Sequence, residues 1–216
     1  MGFAMVSALA GGSTLRAAEL LTNGNFESGD TGFTSAYTDD TTSQTLDDAQ
    51  EYMISTSNGF PSYSSLGDHT TGSGEMMALN GSTDANVTMW EEDVNVAPGS
   101  SYTFSGYVAL TTYYAPVVRL NINGVDVGTF TPTNTNDWEN FSFNWSSASA
   151  TTAKLILIDD NLDYSGNDFA LDDLSFTGPA PTTAVPLPAS FYAGLLGLAA
   201  MAVSRNSKRL LKPLTA

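Results

Sequence analysis

The chain has no cysteine and a single histidine, His69, in 216 residues. Without cysteine there is no disulfide, no thiolate nucleophile and no cysteine zinc site. One histidine excludes a metal centre built from several imidazoles. Bases are scarce as well, with seven Lys and Arg against 23 Asp and Glu. Arg16 lies near the start, and Arg205, Lys208, Arg209 and Lys212 lie near the end. Residues 19–184 hold every acid but only two bases, Arg119 and Lys154. Such a surface repels phosphate backbones, which excludes nucleic acid as a partner. It suits divalent cations and keeps an exported protein soluble. No Gly-x-Ser-x-Gly elbow is present, so the serine-hydrolase signature is missing too.

Helical periodicity of useful length is missing from residues 20–177. Short runs rich in Val, Thr, Tyr, Phe and Trp recur instead, separated by Gly, Asn, Asp and Pro. This pattern predicts an all-β sandwich rather than an α/β fold. Strands are expected at 20–22, 51–55, 76–80, 87–96, 102–110, 117–122, 125–130, 138–145, 154–158 and 169–176. Asn123-Gly124 between two strand-like runs marks a type I′ hairpin, because both central residues of that turn need positive φ. In 102–110, Tyr102, Phe104, Gly106 and Val108 fall on one face. Phe141, Phe143 and Trp145 share a face in the same way. Residues 154–158 read as a central strand. The polar stretch 30–73 is expected to be mostly loop.

One long apolar run exists, at 191–203. Val185, Pro186, Pro188 and Ala189 precede it, and Arg205, Lys208, Arg209 and Lys212 follow. With its flanks the run is about 15–18 residues, at the short end of what crosses a hydrocarbon core. Basic residues after such a span favour the cytoplasmic side. We therefore expect a Pro-rich linker at 179–188, a transmembrane helix at 189–204 and a basic cytoplasmic tail at 205–216. Residues 1–18 are small and apolar, with Ala8-Leu9-Ala10 and Ala17-Ala18 as small-residue cleavage options. They read as a signal peptide, leaving 19–178 as the sandwich.

The tail resembles the PEP-CTERM sorting signal of Gram-negative bacteria, with Leu187 where that signal usually has Glu. The resemblance implies recognition by the membrane enzyme exosortase. It also implies passage through the inner membrane, then display at the cell surface or release outside the cell.

Asn23-Gly24-Asn25-Phe26-Glu27 and the run from Asn167 to Phe176 resemble the two ends of galactose-binding-like jelly rolls, a fold shared by many carbohydrate-binding modules. The loop around Gly67-Asp68-His69-Thr70 resembles exported PEP-CTERM proteins. Together they imply one jelly-roll β-sandwich. Modules of this kind commonly hold a structural Ca²⁺ between their first and last strands. Carried over, the ligands are Glu27 and Asp172, with carbonyls near Gly24 or Asn25. Simple alternation from Ala170 puts Asp172 on one face with Leu174 and Phe176, so its carboxylate needs a partner. The alternative to calcium is that Glu27 and Asp172 cap backbone amides. Asn161, Asp163 and Ser165-Gly166 have EF-hand-like spacing, but an ordinary acidic turn is the better reading between strands.

The outer faces of the strands are expected to carry Tyr107, Arg119, Asn121, Trp138, Asn140 and Asn144, with Tyr113 and Tyr114 in the following loop. Aromatic planes and convergent polar groups suit sugar recognition. Two function classes follow. The first is a non-catalytic, exosortase-sorted surface or matrix protein associated with exopolysaccharide. The second is a specific carbohydrate-binding module. A glycoside hydrolase is a remote third, since acids alone can do that chemistry. Asp68-His69 is expected to be a loop-ordering pair rather than a general acid and base.

Overall fold

The computed structural model describes residues 17–43, 45–56, 66–163 and 165–181. The tail residues Val185, Pro186, Pro188, Ala189, Arg205, Lys208, Arg209 and Lys212 lie outside these, as do residues 1–16 of the expected signal peptide and the whole expected transmembrane helix. Among the described residues no helix is long and apolar enough to cross a membrane.

Eleven strands carry the described fold: β1 (Ala17–Glu19), β2 (Thr38–Asp39), β3 (Glu51–Ser55), β4 (Met76–Asn80), β5 (Thr88–Asn95) and β6 (Ser101–Leu110), then β7 (Val118–Ile122), β8 (Val125–Phe130), β9 (Trp138–Ser146), β10 (Thr152–Asp159) and β11 (Asp168–Pro179). One sheet has seven strands in the order β2-β3-β4-β11-β6-β9, with β1 also paired to β11. The other has four, in the order β5-β10-β7-β8. The all-β sandwich read from the sequence is what forms.

Alternation explains the core. Tyr102, Phe104 and Val108 of β6 are buried, as are Val118, Leu120 and Ile122 of β7 and Ala153, Leu155 and Leu157 of β10. They join one cluster with Phe26, Trp90, Phe141, Phe169 and Phe176. Burying each such side chain stabilises the fold by about 1.5–3 kcal/mol, an upper estimate because the unfolded chain is itself compact. The 154–158 run sits centrally, since β10 lies between β5 and β7. Phe143 and Trp145 remain only partly buried, as suits β9 at the edge of its sheet.

Asn123 and Gly124 adopt φ of 54° and 81°, the two positive values a type I′ turn needs. The Asn123 amide also fastens the hairpin to β10, donating to Thr152 O at 3.0 Å and accepting from Lys154 N at 2.9 Å.

Strand pairing passes beyond the expected limits of the body. Ala17 and Ala18 pair with Pro179 and Gly178, so the second cleavage option falls inside β1. The 20–22 segment follows β1 rather than forming a strand of its own.

Candidate functional site

The outer face of the seven-stranded sheet carries the unusual chemistry, and a break in β11 creates it. Asp173 has φ of 47°, and the register with β6 shifts between Asp172 and Ser175. Leu171 and Leu174 therefore both enter the core. The extra residue reverses the phase of the strand. Asp172 thus does not share a face with Leu174 and Phe176, as plain alternation implied. It lies opposite Tyr107 of β6.

Asp172 is still fully buried, beneath the loop at 67–74. Its Oδ2 accepts from His69 N at 2.7 Å and Thr70 N at 3.3 Å, and its Oδ1 accepts from Asp173 N at 2.7 Å. Burial pushes its carboxyl up to about 6, with the amide hydrogen bonds opposing the rise. Glu27 Oε1 accepts from Glu75 N at 3.3 Å. Asp68 accepts from Thr71 N at 2.8 Å and Gly74 N at 2.6 Å. Burial works to raise the Asp68 carboxyl, but these amides hold it below the usual carboxylate range.

Asp68 and His69 both order the loop, though not through each other. His69 Nδ1 lies 2.7 Å from Asp173 Oδ2. Its ring stacks on Tyr107 with centroids 3.4 Å apart and meets the edge of Trp138 at 6.0 Å. Trp138 Nε1 donates to Gly67 O at 3.0 Å. Tyr107 and Trp138 therefore form the seat of this loop.

Glu27, Asp68 and Asp172 each accept from backbone amides in the segment 69–75, which is the amide capping given as the alternative to calcium. The carbonyl expected from Gly24 is directed elsewhere, accepting from Leu174 N at 2.8 Å. A Cβ at Gly24 would collide with Leu174 O, so this close approach needs glycine. Asn25 is half-buried in the same turn. Among the described residues no group of three or more His, Asp or Glu side chains forms a ready metal cage.

The expected glycan face is divided. Tyr107, Trp138, Asn140 and Asn144 belong to β6 and β9, whereas Arg119 and Asn121 belong to β7 in the opposite sheet. Both sets point away from the shared core, so they occupy opposite outer faces. Arg119 is also engaged, donating to Asp160 at 2.7 Å, Asp126 at 2.8 Å and Asn86 at 2.7 Å. Asn121 donates to Asp126 at 2.7 Å, Asn140 to Gly106 O at 3.0 Å, and Asn144 accepts from Thr103 at 3.0 Å.

A second feature of the seven-stranded face escaped the sequence reading. Asp168 of β11 faces Asn80 of β4 in register. Asp47 and Ala49 border one side of this pair and Ser165 and Gly166 the other, leaving a cleft of about 220 Å³. Leu46, which also lines it, packs on Met53 and Ala78. Tyr114 N donates to Gly166 O at 3.0 Å, which brings the β6–β7 loop to the rim. Tyr113 and Tyr114 in that loop are 84% and 51% exposed. Asp168 itself is 9% exposed, and burial alone pushes its carboxyl up to about 6. Its shared parity with Ala170 and Asp172 was the available signal. That β4, far away in sequence, would pair with this end of β11 was not readable.

The Asn161 segment forms a turn between β10 and β11, with Asn161 Oδ1 accepting from Asp163 N at 3.0 Å. Nearby Asp159, fully buried, accepts from Val117 N at 2.9 Å and Asn161 N at 3.0 Å. Burial, against these bonds, pushes its carboxyl up to about 6.

No protein-family model matches the chain, and no curated protein matches it. Solved structures do. A cyclase from Fischerella sp., in its apo form, is 12% identical, with 77% of this chain and 98% of that chain covered at a TM-score of 0.54. The CBM22-1 xylan-binding domain of Xyn10C from Paenibacillus barcinonensis is 15% identical over 81% of this chain and 100% of that one, with a TM-score of 0.48. The C-terminal domain of EclA, a sugar-binding protein, is 24% identical over 41% of this chain and 66% of that one, with a TM-score of 0.38. The cyclase likeness establishes a shared fold, and a fold of this kind hosts unrelated functions.

Proposed function

We propose that this is an exported surface protein whose non-catalytic β-sandwich holds polysaccharide. The observation that carries the reading is the cleft at Asn80 and Asp168 with Tyr113 and Tyr114 exposed beside it. Sugar recognition needs an aromatic plane next to a few convergent polar groups, and the seven-stranded face supplies both at this point. The carbohydrate-binding modules among the similar solved structures agree with it. Polysaccharide pull-down and glycan-array binding with the purified chain test the reading. Tyr114→Ala is expected to lose the retained glycan, and an array without any hit sinks the proposal. Tyr107→Ala is expected to act only through loop stability.

Export, exosortase sorting and inner-membrane anchoring before release belong to the same proposal, supported by the residues of the tail. Mass spectrometry of the mature protein tests them. The expected product lacks the N-terminal segment and ends near Pro188. A mature chain that retains both ends overturns the sorting part alone.

A structural Ca²⁺ at the 67–74 loop is proposed with these. Its support is that Glu27, Asp68 and Asp172 all accept from amides of the segment 69–75.

A further inference from the structure

The cleft at Asp168 has a specific chemical bias. Asp168 is nine-tenths buried, yet among the described residues no donor reaches its side-chain oxygens, and burial is the sole influence on its carboxyl. Its backbone is fully engaged, with N donating to Thr112 Oγ1 at 3.1 Å and O accepting from Thr111 N at 3.0 Å. The backbone is therefore held in place while the side chain makes no hydrogen bond to another described residue. Its oxygens are not among the fully buried unpartnered atoms, so the carboxylate opens into the cleft, where a cationic group can reach it. The other polar side chains of the lining, Asp47, Asn80 and Ser165, add oxygens and no positive charge. Both of the body's bases are paired elsewhere and neither lines the cleft: Arg119 is committed to Asp160 and Asp126, and Lys154 to Glu91.

We infer that the cleft takes the protonated amine of an amino sugar, with the Asp168 carboxylate as its counter-ion. The inference rests on the sugar-binding reading of the same cleft and names the ligand class. An ammonium brings three donors and a full charge to one point. Asp168 receives one or two of those donors, and Asp47 and Asn80 line the same cleft with further acceptors. The sugar ring then extends toward Tyr114 at the rim. An acidic polymer meets only like charge here. A neutral sugar offers hydroxyl donors but leaves two carboxylates uncompensated. An N-acetylated sugar keeps the ring and linkage and loses the charge, which makes it the sharpest comparison.

The experiment is titration calorimetry of the full chain with three short oligosaccharides at physiological salt: a β-1,4 glucosamine trimer, its fully N-acetylated counterpart and a neutral cellotriose. The glucosamine trimer is expected to bind at least about tenfold more tightly than the other two. Asp168→Asn, nearly isosteric, is expected to erase that preference with the melting temperature retained or raised. Glu91→Gln, an acid on the opposite sheet, is expected to leave it intact. Equal binding of the neutral or N-acetylated trimer overturns the inference and leaves the sugar-binding reading standing. Equal weakening by Asp168→Asn and Glu91→Gln reduces the effect to general charge attraction and overturns it as well. Binding of none of the three, together with an empty glycan array, removes both.

Discussion

The His69 imidazole lies flat against the Tyr107 ring, 3.4 Å between centroids and 18° from parallel. The one histidine of the chain thus closes the 67–74 loop onto the sheet, with Asp173 at its Nδ1. Ring contacts of this sort contribute about 0.5–1.5 kcal/mol beyond burial. His69→Ala is expected to lower the melting temperature by about 2–4 °C, the equivalent of roughly 1 kcal/mol in a domain this size. Amide hydrogen exchange is expected to quicken at Thr70, Thr71 and Gly74 and not in β7 or β10. Unchanged exchange in the loop would show that the stack does not hold it.

Acid should stabilise this protein before it harms it. Burial raises the carboxyls of Asp159, Asp168 and Asp172 to about 6, above the 3.8 of a free Asp side chain. Between those values the folded state binds more protons than the unfolded chain, so stability falls as pH rises through about 6. Lowering pH from 7 to 5 is therefore expected to raise the melting temperature. Below the ordinary carboxylate range the trend reverses, because Asp68 and Glu139 are held low by amide donors and lose those bonds on protonation. Thermal melts across pH check this, and Asp168→Asn is expected to reduce the acid gain.

Calcium at the 67–74 loop predicts a higher melting temperature with Ca²⁺ than with chelator, since a ligand that binds only the folded state stabilises it by mass action. Asp172→Ala is expected to abolish the difference. A melt indifferent to chelation assigns the three carboxylates to amide capping alone.

Gly24→Ala drives a methyl group into Leu174 O. Overpacking against backbone costs about 1–3 kcal/mol, and here it also threatens the Leu174 N to Gly24 O bond. Denaturant unfolding is expected to show a lower midpoint with unchanged slope.

The strands were legible because their side chains alternate and their turns carry Gly, Asn and Pro. The Asn123-Gly124 hairpin is the clearest case: two residues set the turn and the register of β7 with β8. The candidate site was less legible, for two physical reasons. A single residue with positive φ, Asp173, reverses the phase of β11, and aspartate has no signature that separates this role from a surface acid. The pairing of distant strands is also silent in a local pattern. Nothing in 118–122 says that Arg119 faces away from Tyr107, and nothing in 76–80 says that Asn80 meets Asp168. The acidic character of the body was plain from its composition, but which acid faced a cleft beside Asn80 emerged only from the pairing of β4 with β11.

Ala17 stands directly opposite Pro179, the first rung of the ladder between β1 and β11. Tension applied across these two points would open that ladder one rung at a time, from its outer end inward. The hydrogen bonds would break in sequence rather than together, so the mechanical resistance of this joint is low. The core strands would carry load only after β1 had peeled away.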